Sequence, residues 1–163
     1  MLALIVLQLT LGGLAVSWRL SPTKLNLFVW HKSFGILILI LAVARLIWRL
    51  GNPTPALPAA MSKAERTAAR SSHALLYLIM IAIPLSGWVI NSATNIPLNI
   101  FFLFPWPDIT APDKALAETA KTVHLGLWLI LAATLTVHVG AALQHHFIRR
   151  NEILRRMLPG RHR

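Results

Sequence analysis

Four apolar runs, separated by polar or proline-bearing connections, organise the chain. They fall at about residues 1–18, 30–50, 73–91 and 121–147. A bilayer core needs about 20 apolar residues in helical form, so each run is sized to cross or nearly cross it. No strand reading competes within the runs, because a lone strand leaves its backbone unsatisfied in lipid. The pattern predicts an all-α, integral membrane four-helix bundle, a single transmembrane domain over 1–163 ending in a basic cytoplasmic tail at 148–163. The first run lacks the basic start and the small-residue cleavage site of a signal peptide, so it is read as a span.

The connections carry their own signals. Residues 19–27 form a short link containing Ser21-Pro22. Residues 51–72 carry Pro53, Pro55 and Pro58, then Ser62-Lys63-Ala64-Glu65-Arg66, which reads as a helix start. Residues 92–120 carry Pro97, Pro105, Pro107 and Pro112, and the patch Phe101-Phe102-Leu103-Phe104-Pro105-Trp106. That patch is too short to span and is expected to lie in the membrane interface.

Composition sharpens the class. The 163 residues are 56% hydrophobic and 13% charged, with a mean hydropathy of +0.62. Soluble domains carry about 25% charged residues. The absence of cysteine excludes thiolate chemistry, disulfides, Cys-ligated zinc and cysteinyl iron–sulfur clusters. A net charge of +11 would point to nucleic acid on a soluble protein, but here the charges lie outside the apolar runs and report orientation instead. Eleven of the 16 Lys and Arg, from Arg45 to Arg163, fall on one side; Arg19, Lys24, Lys32, Lys114 and Lys121 fall on the other, with Asp108, Asp113 and Glu118. The positive-inside rule then places both termini in the cytoplasm. Trp18, Trp30, Trp88 and Trp106 fall near the outer boundary and Trp48 near the inner one.

Six of the seven histidines lie in or at the ends of spans, where ionisable groups are costly and usually functional. His124 and His138 are 14 residues apart, about four helical turns, so their rings leave one face some ~21 Å apart along the axis. That arrangement lets one helix serve two haem groups through imidazole ligands. His31 lies at the level of His124 and makes the outer pair. His138 lies toward the inner side, where its candidate partner on another span is His73. A proton-coupled transporter or plain packing is the competing reading of these histidines. Zinc fits less well, since the rings spread over two depths instead of converging on one tetrahedron. Arg45, 14 residues after His31, is a candidate partner for a haem propionate, whereas Arg49 reads as a snorkelling anchor. Gly35 and Gly126 would let a flat macrocycle approach the backbone.

The stretches Trp30-His31-Lys32-Ser33-Phe34-Gly35, Ala44-Arg45-Leu46-Ile47-Trp48-Arg49-Leu50 and Asn52-Pro53-Thr54-Pro55 resemble the bacterial cytochrome b561 family. So do His73-Ala74-Leu75-Leu76-Tyr77, Pro84-Leu85-Ser86-Gly87-Trp88, and the run from Val123-His124 through His138 to His145-His146. The resemblance covers nearly the whole chain. It implies a four-helix inner-membrane protein with two haem b groups, related to the cytochrome b subunits of nickel–iron hydrogenases and exchanging electrons with quinone. One member type oxidises superoxide and passes the electron to ubiquinone. By the same resemblance the iron ligands fall on His31, His124 and His138. The family's remaining ligand, a His followed by Trp early in the first span, has no counterpart here. The expectation is that the natural start lies further upstream or that the chain is a fragment. Otherwise the inner haem uses His73 with His138, uses His138 alone, or is absent.

His145 and Arg149, with Gln144 and His146 nearby and Lys63 and Arg70 opposite, are candidates for a quinone site; a basic cluster attracted to anionic lipid is the plainer alternative. Lys24, Lys32 or Lys121 could steer an anion such as superoxide. Two classes of function follow: a free-standing, quinone-linked redox enzyme, or an anchor and electron relay for a partner dehydrogenase or hydrogenase.

Overall fold

The computed structural model describes residues 1–52 and 62–147. Four helices appear in the order α1 (Leu2–Ser17), α2 (Pro22–Gly51), α3 (Lys63–Ala93) and α4 (Lys114–Phe147), with a small hairpin of β1 (Leu98–Ile100) and β2 (Phe104–Trp106) between the last two. Consecutive helices pack together, α1 on α2, α2 on α3 and α3 on α4. The basic tail expected at 148–163 lies outside the described residues.

The bundle is apolar outside as well as inside, as a lipid-facing protein must be. Val137 is 71% exposed and Leu78 65%, although both lie mid-helix. Inside, Ile5, Ile79 and Leu131 bring α1, α3 and α4 together, backed by Leu9, Leu76, Met80, Ile83 and Leu135. Among the described residues, three helices are long and apolar enough to cross a membrane. The 16-residue α1 reaches only roughly 24 Å, short of the ~30 Å hydrocarbon core.

The other helices start earlier than the apolar runs suggest. Hydropathy marks the embedded part of a helix, while capping chemistry sets its beginning. α2 starts at Pro22, not near Trp30, because Ser21 accepts a hydrogen bond from the Lys24 amide at 3.3 Å and Pro22 suits the first helical position. α3 starts ten residues before His73, at Lys63. There Ser62 and Glu65 form a reciprocal capping box, with bonds of 2.8 and 3.2 Å, as the polar run at 62–66 predicts. α4 starts at Lys114, where the Asp113 carboxylate accepts from the Leu116 amide at 3.0 Å.

The aromatic patch expected in the interface is built as a hairpin. Leu98 pairs with Trp106 and Ile100 with Phe104, and Leu98 and Ile100 bury against Ile36 of α2. Its turn holds Phe101 and Phe102 at φ 50° and 63°, a region bulky side chains seldom enter. Tertiary contacts offset the strain. Both rings pack edge-on against Trp30, and the Phe101 amide donates to the Ser33 hydroxyl at 2.8 Å. Ser33 is fully buried. Ser33→Ala strands that amide and is expected to cost about 1–3 kcal/mol, read as a lower melting temperature in detergent.

Candidate functional site

Two pairs of imidazoles face each other across helix interfaces at two levels of the bundle. On the hairpin side, His31 of α2 faces His124 of α4, with ring centres 6.5 Å apart and planes at 77°. At the far end, His73 of α3 faces His138 of α4, with ring centres 5.3 Å apart and planes at 59°. The two α4 residues stand about four turns apart, on the same face, as their spacing predicts.

Neighbouring helices hold three of these rings by their Nδ1 atoms. His31 Nδ1 faces the Gln8 carbonyl at 3.3 Å, and the Gln8 side chain donates back to the His31 carbonyl at 2.8 Å. His124 Nδ1 meets the Ser86 hydroxyl at 2.9 Å, and His138 Nδ1 meets the Ser72 hydroxyl at 3.4 Å. A ring that donates from Nδ1 keeps a lone pair on Nε2, the arrangement a metal-ligating histidine uses.

Glycines make room for two of the rings. A Cβ on Gly12 would lie 2.8 Å from His31 Cε1, and one on Gly87 would lie 3.3 Å from His124 Cε1. A Cβ on Gly126 would meet nothing within 4 Å, and on Gly35 it would meet the Gln8 amide. The cradles follow from which helix faces each ring, which spacing within one helix cannot show.

The residues present fit a bis-histidine haem iron. Two imidazoles sharing a metal at bonds of about 2 Å have ring centres about 6 Å apart. The hairpin-side pair meets that spacing; the far pair is somewhat tighter. Among the described residues no three metal-ligating side chains converge, so a tetrahedral zinc site finds no ligand set there.

The charged candidates sort less simply. Arg45 Nε donates to the Tyr77 hydroxyl at 3.1 Å, and the Arg49 guanidinium lies over the Tyr77 ring at 5.3 Å. Tyr77 sits one turn after His73, and both arginines lie within electrostatic range of that ring. Arg49 thus shares the Arg45 cluster, where spacing alone reads it as a snorkelling anchor. Lys32 donates to the buried Asn91 at 2.6 Å, Lys24 to the Val16 and Trp18 carbonyls, and Lys121 to Glu118 at 2.8 Å. All three proposed anion-steering cations are therefore engaged. The side chain of His145 and the whole of Arg149 lie outside the described residues.

Comparison with known proteins follows the same lines. The family model described as prokaryotic cytochrome b561 matches residues 1–160. The chain is 38% identical over 128 residues to cytochrome b561 homolog 2 of Escherichia coli (strain K12), covering 78% of this chain and 68% of that protein. It is 33% identical over 129 residues to the probable superoxide oxidase CybB of Yersinia pestis, covering 79% and 73%. It is 29% identical over 146 residues to cytochrome b561 homolog 1 of Escherichia coli (strain K12), covering 86% and 80%. An apolar helical bundle with paired histidines at two depths, matched over nearly its whole length, belongs to the prokaryotic cytochrome b561 family: a bacterial membrane electron-transfer protein that binds haem b.

Proposed function

We propose that this chain holds two haem b groups, one between His31 and His124 and one between His73 and His138, and carries electrons between a donor and the quinone pool. The observation that supports this most directly is the pair of facing imidazoles at each level, strung along one face of α4. Bound haem supplies a one-electron couple whose potential depends on the axial ligand, burial and nearby charge. The chain's residues do the rest. His31 with His124, and His73 with His138, would hold the haem iron. Ile5, Ile79 and Leu131 keep the space between the two levels dry. Arg45 and Arg49 supply positive charge near the His73 level, which favours the reduced form there and can pair with propionates.

Both termini lie in the cytoplasm in this reading, since eleven of the 16 Lys and Arg fall at that end. Superoxide as the electron donor is supported by the likeness to the Yersinia pestis relative named a probable superoxide oxidase. The pairing of Lys121 with Glu118 weakens it as an attractor, whereas Lys24 donates only to neutral carbonyls. The relay reading, with a partner dehydrogenase or hydrogenase as donor, needs no anion site on this chain.

Purified protein from a host supplied with haem is expected to give a reduced-minus-oxidised b-type spectrum and about two haems per chain by pyridine haemochrome. A colourless preparation ends the proposal. Dithionite-reduced protein is expected to be reoxidised by a water-soluble ubiquinone analogue without oxygen. Reduction of the oxidised protein by enzymatically generated superoxide separates the oxidase reading from the relay reading.

A further inference from the structure

We propose that Ser72 and Ser86 of α3 are positioning residues that set the tautomer and the reduction potential of the two iron-binding histidines on α4; this rests on the ligand reading above. The serines are 14 residues apart, the same interval that separates His124 from His138. Because α3 and α4 run antiparallel, equal spacing brings Ser86 to His124 and Ser72 to His138, one serine per ring.

The direction of each bond follows from the serine's own partner. A hydroxyl has one proton. Ser86 gives it to the Ile83 carbonyl at 2.8 Å, and Ser72 gives it to the Ala69 carbonyl at 3.1 Å. Each hydroxyl oxygen therefore presents a lone pair to the facing ring and accepts from Nδ1–H. With the proton held on Nδ1, Nε2 is left with the lone pair that iron requires.

Serines on membrane helices often bond back to their own helix and do nothing more. Here both do so in one register, each opposite a histidine on the same partner helix. His31 differs, since its Nδ1 acceptor is the Gln8 main chain, which no side-chain substitution removes.

An acceptor on Nδ1–H makes the imidazole a stronger donor to iron and favours the ferric state. Removing it should raise the potential. In the haem-loaded full chain, Ser86→Ala is expected to shift the ferric-to-ferrous preference about tenfold, about +59 mV for one electron, at the haem that His124→Ala removes. Ser72→Ala should act on the haem that His138→Ala removes, and more weakly given its longer bond. Ser86→Thr and Ser72→Thr keep the hydroxyl and should keep the potentials. Haem loss in an alanine variant that the threonine variant restores supports the same conclusion. The proposal is overturned if the alanine variants leave both potentials and haem contents unchanged, if they move both haems alike, or if alanine and threonine variants fail together. If His124→Ala and His138→Ala retain both haems, the ligand reading has failed instead, and the serine role with it.

Discussion

His124→Ala is expected to leave about half of the wild-type haem content, and His138→Ala about half as well, with the double variant colourless. Each substitution removes one side of a facing pair, so only His31 or His73 is left to hold iron at the proposed site. The losses should be separable. The two rings stand about four turns apart on α4, and the apolar cluster of Ile5, Ile79 and Leu131 lies on helices common to both levels. Neither ring is part of that cluster, so the bundle retains its packing when one ring is removed. His124→Met adds a second readout. A thioether keeps a sixth ligand on iron but donates less strongly, so the surviving couple should move to higher potential instead of vanishing. Both experiments are read by pyridine haemochrome and redox titration. Retention of the full haem complement in both alanine variants would place the ligands elsewhere.

Much of this architecture is legible in the sequence because lipid imposes a simple rule on composition. The apolar runs mark the embedded helices, and the 14-residue interval between His124 and His138 fixes their common face without any tertiary information. Helix starts are less legible from hydropathy, since Ser21-Pro22, Ser62 with Glu65, and Asp113 act outside the apolar runs. The hairpin is not legible at all. Two consecutive phenylalanines at positive φ are unfavourable locally and depend on Trp30 and Ser33, which lie far away in the chain. The serine ladder stands between these cases. Its interval equals that of the histidines it serves, a match visible once α3 and α4 are taken as antiparallel neighbours. The Arg49 stack on Tyr77 depends, by contrast, on how α2 is rotated against α3.

Gly12→Val is expected to abolish binding at the haem site proposed between His31 and His124, and Gly12→Ala to reduce its occupancy severely. In both, the new Cβ lies 2.8 Å from His31 Cε1, closer than a Cβ approaches another carbon, and 3.1 Å from Nδ1, a tight contact that adds to the crowding. The ring must swing off the Gln8 carbonyl, and Nε2 then leaves its alignment with His124. Gly13→Ala provides the control within the same helix. Its Cβ meets nothing within 4 Å, so haem content should be unchanged. Alanine is a better helix former than glycine by about 1 kcal/mol at either position, so propensity alone predicts that both substitutions strengthen α1. Opposite outcomes at adjacent glycines can then come only from the space each one keeps open. Gly87→Ala should fall between them, since its Cβ would stand 3.3 Å from the His124 ring and a small displacement relieves the contact. Haem occupancy ordered as Gly13→Ala, Gly87→Ala, Gly12→Ala from highest to lowest would show that the imidazoles sit where the bundle places them. Equal occupancy across the series would mean that the rings on this side are free to reorient and that the glycine cradle does not position them.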